Sequence, residues 1–144
     1  MAGHAVRING VSSSALRAFA QASQRSGHDQ LEIINWLLAV LELSTHCLIF
    51  RASRVAGVTA ERIKLLPLVA EGDTSHCFSG ELGQLALAGL ARGRALFGCD
   101  DAGVLMRIAQ LAPYFDHNDV ALYYSPKPTE EQRVPLEKLK KLPG

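Results

Sequence analysis

The longest strongly apolar stretch of this chain, residues 33–43, carries helical rather than alternating spacing, with Leu31, Ile34, Leu38 and Leu41 recurring about one turn apart. Asn35 and Glu42 interrupt it, and it falls well short of the ~20 apolar residues that a membrane span requires. It therefore reads as a helix of a soluble core. Trp36 and Leu37 widen its apolar surface, so a helix over about residues 30–43 should be covered on more than one side and stand at the centre of the fold. Gly27 ends the segment before it, and Asp29 is placed to cap its start.

The flanking segments read in the same way. Ser12, Ser13 and Ser14 offer N-caps to a first helix whose Leu16, Phe19, Ala20 and Ser23 line one face, with Arg17, Gln21 and Gln24 on another. Ser44 or Thr45 caps a third helix with Leu48, Ala52 and Val55, closed by Gly57. Thr59 caps a short fourth one, with Ile63 and Leu66, that Pro67 stops. Residues 70–77 are turn-forming and solvated, an internal linker. Ser79 then caps a long helix carrying Leu82, Leu85, Ala86, Leu90 and Leu96, with Glu81 near its positive end. Its Gly83, Gly89 and Gly93 each cost about 1 kcal/mol of helicity relative to alanine, which implies that another helix passes close by. Asp100 or Asp101 caps the next segment, where Val104, Leu105, Ile108 and Leu111 form a buried face ahead of Pro113. Residues 120–124 suit a short strand or a last helical turn, and Leu136, Leu139 and Leu142 suit a short helix in the tail.

This pattern predicts an all-α fold, a tandem repeat of helical hairpins, over residues 1–114, followed by an irregular tail over 115–144. The length suits one domain, and 48% apolar with 20% charged residues is a globular composition. Fifteen basic residues against fourteen acidic ones leave no excess of positive charge to attract nucleic acid or an anionic membrane, so neither partner is expected. Three widely spaced cysteines make no disulfide framework, and no apolar run follows Arg7 at the N-terminus. A reducing, cytoplasmic setting is expected.

Catalytic motifs are missing. His46-Cys47, His76-Cys77, Cys99-Asp100 and Asp101 are zinc-compatible in type, but neighbouring residues on a helix point about 100° apart, so buried thiols and surface imidazoles account for them better. No serine stands in a Gly-x-Ser-x-Gly frame, and Cys47 lacks a partnered base by spacing. No phosphate-binding Gly-x-x-x-x-Gly-Lys-Ser/Thr loop occurs, so the chain is not expected to hydrolyse ATP. A non-catalytic protein without metal or cofactor is the expectation.

The two halves resemble each other. Residues 13–22 match 79–88 at a constant offset, with Phe19 against Leu85, and Trp36-Leu37-Leu38 stands against Val104-Leu105-Met106 after a shift of two. Tandem hairpins of this kind, with residues 31–42 running Leu-Glu-Ile-Ile-Asn-Trp-Leu-Leu-Ala-Val-Leu-Glu and Val58-Thr59 ahead of Ala60-Glu61-Arg62, resemble the N-terminal repeat domain of the Clp/Hsp100 unfoldases. The similarity is greatest to the ClpV branch that serves type VI secretion. The family usually has Glu-His before the Leu-Leu pair, where this chain has Ile34-Asn35-Trp36, so it would be a divergent member. The resemblance implies a chaperone-associated protein-recognition domain that binds a helical segment of a client, such as a secretion-sheath subunit, in a hydrophobic groove. By the same resemblance Ala15, Leu16, Phe19, Leu82 and Leu85 are the peptide-binding positions. A scaffold that self-associates through the glycine-rich helix over residues 82–96 is the alternative.

Overall fold

Val6 and Ile8 alternate with Arg7 and Asn9, a period of two that places one side of an extended segment inward and the other outward. In the computed structural model a strand, β1 (His4–Ser12), forms there. Two helices follow, α1 (Ser13–Ser26) and α2 (Gln30–Leu43), then the short strands β2 (Ile49–Ser53) and β3 (Glu61–Arg62) and a longer one, β4 (Ser75–Leu82). Helices α3 (Gln84–Phe97) and α4 (Asp101–Ile108) come next. A 3₁₀ segment (Ala109–Tyr114) continues α4, and β5 (Val120–Tyr124) and β6 (Val134–Pro135) end the order. The structure describes residues 3–43, 49–53, 61–115, 120–124 and 134–135, and side chains within 3–43 and 63–115.

The fold is thus mixed α/β, which corrects the expected all-α array. The helix expected around Ala52 is replaced by β2, whose antiparallel partner β5 supplies the β-branched and aromatic residues that favour a ladder. Where the short fourth helix is expected, residues 61–62 form β3 and residues 63–67 are irregular backbone; Ser44, Thr45, Leu48, Val55, Gly57, Thr59 and the tail's Leu136, Leu139 and Leu142 lie outside the described residues. Ser79 does not cap a helix. It lies within β4, because Phe78, Gly80 and Leu82 alternate with Cys77, Ser79 and Glu81, and the helix begins only at Gln84. Residues 120–124 take the extended alternative. They join a four-stranded sheet of order β3-β2-β5-β6, so residues after 114 add two strands to it.

The chain is duplicated, but as strand–helix–helix units and in another register. Ser13 and Gln84 open helices of 14 residues each, Gly27 and Gly98 close them in the left-handed conformation, and Gln30 and Asp101 open the next helices; each pair is 71 residues apart. Buried positions keep that spacing: Ala15 with Ala86, Phe19 with Leu90, Ala22 with Gly93, Ile33 with Val104, Ile34 with Leu105 and Leu37 with Ile108. The two units interleave. α2 packs on α3, while α1 packs on the 3₁₀ continuation of α4, where Arg25 donates to the carbonyls of Ala112 and Phe115 at 2.9 and 3.2 Å. β1 and β4 pair antiparallel as a separate two-stranded ribbon above them.

The helices meet at backbone range. A Cβ placed on Gly89 of α3 would stand 1.9 Å from the Leu38 carbonyl oxygen of α2, and one on Gly93 would stand 2.7 Å from Val104 and 3.0 Å from Leu41. The close approach expected from the glycines is therefore real at these two positions. It lets fully buried Leu37, Leu38, Leu41, Leu105 and Ile108 fill one core, each contributing about 1.5–3 kcal/mol by leaving water. Gly89→Ala tests the contact. The substitution gains ~1 kcal/mol of helix propensity, yet we expect a net loss of about 1–3 kcal/mol in urea unfolding because backbone must move to admit the methyl. The exposed Ala88→Gly should lose only the propensity term. Unchanged stability in Gly89→Ala would refute the close contact.

Candidate functional site

The ribbon has two unlike faces. Val6, Ile8, Phe78, Gly80 and Leu82 point inward, whereas Ala5, Arg7, Asn9, Cys77, Ser79 and Glu81 are exposed. Across the ladder the outer residues form three pairs, Ala5 with Glu81, Arg7 with Ser79 and Asn9 with Cys77. A bulge between Asn9 and Val11 accommodates Gly10, at φ 88°. With that extra residue set aside, the two units superpose in sequence so that Arg7 corresponds to Ser79, Asn9 to Glu81, Ala5 to Cys77 and Val11 to Leu82. The pseudo-two-fold relating the units therefore passes through the Arg7–Ser79 pair, and the flanking pairs are its images of one another.

Each strand is held where it turns into a helix. At the first junction Ser12 caps α1, its hydroxyl accepting from the Ala15 amide at 3.1 Å and donating to the Leu68 carbonyl at 2.6 Å. At the second, Gly83 has no side chain to do this. Asn35 reaches over from α2 instead: its Oδ1 accepts from the Gly83 amide at 2.8 Å, and its Nδ2 donates to the carbonyls of Glu81 at 3.1 Å and Leu31 at 2.9 Å. Asp73, just before β4, accepts from the Ala70 amide at 2.8 Å and from the hydroxyls of Ser13 and Ser14 at 2.9 and 2.8 Å. The Ala70 N–H and then the Ser14 hydroxyl favour its charged form and hold its carboxyl below the usual value.

The five groove positions implied by the Clp resemblance do not form one surface. Ala15, Phe19 and Leu82 are wholly buried in the core, Leu16 is partly buried against it, and Leu85 is half-exposed on α3. The small-residue side of α3, expected to mediate self-association, is filled within the chain by Leu38, Leu41 and Val104. Cys77 is exposed on the outer ribbon face, and Cys99 is partly buried, its thiol pushed up by desolvation. Among the described residues no group of three or more His, Cys, Asp or Glu is placed to hold a metal, and no helix is long and apolar enough to cross a membrane. His46 and Cys47 lie outside the described residues. Sequence reasoning passed over the outer ribbon face. Its signal was the alternation in residues 5–9 and 77–82, too short to compete with the helical periods beside it.

No family model, curated protein or solved structure matches this chain.

Two outcomes follow for the junctions. Asn35→Ala strands the Gly83 amide and the Glu81 carbonyl, so we expect a loss of about 1–3 kcal/mol in chemical unfolding, and Asn35→Asp should recover part of it through the acceptor alone. Asp73 has a folded pKa below its unfolded one, so its stabilisation is present above the unfolded value of about 3.8 and fades as pH falls through the folded value. Asp73→Asn should accordingly flatten the acid limb of a urea-midpoint profile below about pH 4. An unchanged limb would show that this tether is not formed in solution.

Proposed function

We propose that this protein is a non-catalytic recognition module that reads duplex DNA with the outer face of the β1–β4 ribbon. The observation that carries this reading is the cross-strand set Arg7–Ser79, Asn9–Cys77 and Ala5–Glu81, exposed on a ribbon only two strands wide. Strands spaced about 4.8 Å apart make a ribbon that fits a major groove about 12 Å wide. Its side chains are those that base edges accept: Arg pairs with guanine O6 and N7, Asn with adenine N6 and N7, Glu with cytosine N4, and Ser with several. The face has no large apolar residue of the kind that anchors a protein interface. A pseudo-two-fold through Arg7–Ser79 also matches the dyad of a duplex.

The proposal departs from the expectation that near-neutral charge excludes nucleic acid. A formal charge of +1 speaks to phosphate attraction, which dominates non-specific affinity, and not to base readout. Binding should then be selective, modest and weakly dependent on salt, with a log–log slope of about −1 to −3. Selection from a random duplex pool, followed by anisotropy titration of the enriched site, tests this. Arg7→Ala should weaken binding about 5- to 150-fold, the equivalent of one base-pairing side chain, without changing the melting temperature. A client's helical segment, the partner the Clp resemblance implies, is the competing proposal. Failure to retain any duplex, together with binding of an amphipathic helical peptide that Arg7→Ala leaves unchanged, would decide for it.

A further inference from the structure

The same ribbon face carries a statement about which duplexes it takes, resting on the DNA-reading proposal above. A ribbon made by two identical strands shows the same side chain at both images of each position and so reads a palindrome. This ribbon does not. At the centre Arg7 faces the short Ser79, and at the flanking images Asn9 corresponds to Glu81 and Ala5 to Cys77. We propose that the recognised duplex is non-palindromic, with the Asn9 half-site and the Glu81 half-site carrying different base pairs around a central guanine contact from Arg7.

The chemistry of the two images sets the difference. Asn9 offers one donor and one acceptor, the complement of adenine N6 and N7. Ionised Glu81 offers acceptors only, so it takes the cytosine N4 amino group and is repelled by the guanine O6/N7 pair and by nearby phosphates. One image thus favours A·T and the other C·G, and each opposes the other's base. Arg7, the longest side chain on the face, stands opposite the short Ser79 at the dyad. Because both strands belong to one chain joined through residues 13–74, the two halves cannot exchange places except by turning the whole protein over on the duplex.

The full chain selected against a random duplex pool provides the test. The enriched site should lack dyad symmetry at the flanking positions, and palindromes built by inverting either half should bind at least about tenfold more weakly. Glu81→Asn, at an exposed position, gives the Asn9 and Glu81 images the same side chain and should make the base pairs selected at those two flanking positions alike. A palindromic site selected by the wild type, or a Glu81→Asn selection identical to the wild type's, overturns the asymmetry while leaving DNA reading intact. Enrichment of no duplex by either protein overturns both.

Discussion

The Gly89–Leu38 contact governs the arrangement of everything else. Because α3 carries no Cβ there, its backbone lies against the Leu38 carbonyl of α2, and that approach couples the second unit's first helix to the first unit's second helix. The reciprocal packing of α1 on the 3₁₀ segment completes an exchange in which neither strand–helix–helix unit has a core of its own. Phe19 and Ile33 from one unit and Leu105 and Ile108 from the other are all fully buried in one cluster. The ribbon inherits its geometry from this exchange. β1 and β4 leave the same helical layer from opposite units, so they meet antiparallel and their inner residues close over the helices they did not come from.

A duplicated unit must solve the same end problem twice, and here it does so by different means. The first amides of a helix need acceptors. Ser12 meets that need locally for α1, whereas the glycine at the equivalent place before α3 obliges Asn35 to come from α2. Asn35 thereby ties the ribbon to the interleaved helices rather than to the adjacent one. The polar interruption in the longest apolar run is a bracket between layers. Losing it would loosen the Glu81 end of the ribbon before the Ser12 end.

Much of the helical layer was legible in the sequence. The period through Leu31, Ile34, Leu38 and Leu41, the closure at Gly27 and the cap at Asp100 all stand where spacing and cap chemistry put them. The strands were not. Each contributes only three inward positions, Val6, Ile8 and Val11 or Phe78, Gly80 and Leu82, and a stretch that short reads as a helix start once a serine sits in it, as Ser79 does. Matching Ser13 with Ser79 puts the repeat in the wrong register, since local identity around two serines outweighs the Gly27–Gly98 and Asp29–Asp100 correspondences that the structure obeys; neither serine is the cap, which is Ser12 for α1 and Gly83 for α3. The same slip made Leu16 and Leu82 look like matching groove positions, when Leu16 is partly buried on α1 and Leu82 is wholly buried at the end of β4. The alternation in residues 5–9 and 77–82 is the one signal of the outer ribbon face, and it does not say which polar residues stand opposite one another until a fold aligns them.

Among the described residues no third strand joins β1 or β4, and Asn35 bonds the Glu81 carbonyl at the end of β4. Whether a partner would use an edge or the outer face follows from how the strands are built. Exposed edges invite strand addition unless charge, a bulge or short length opposes it. Arg7 and Glu81 are charged, Gly10 bulges β1 out of regular register, and Gly83 ends β4 immediately after Leu82. An added strand on either side would meet an interrupted ladder, whereas the face between them stays continuous over three cross-strand pairs. The backbone that carries that face is tied at its ends by Ser12, Asp73 and Asn35. Side-chain readout by the face, and not backbone pairing at the edge, is what this construction favours.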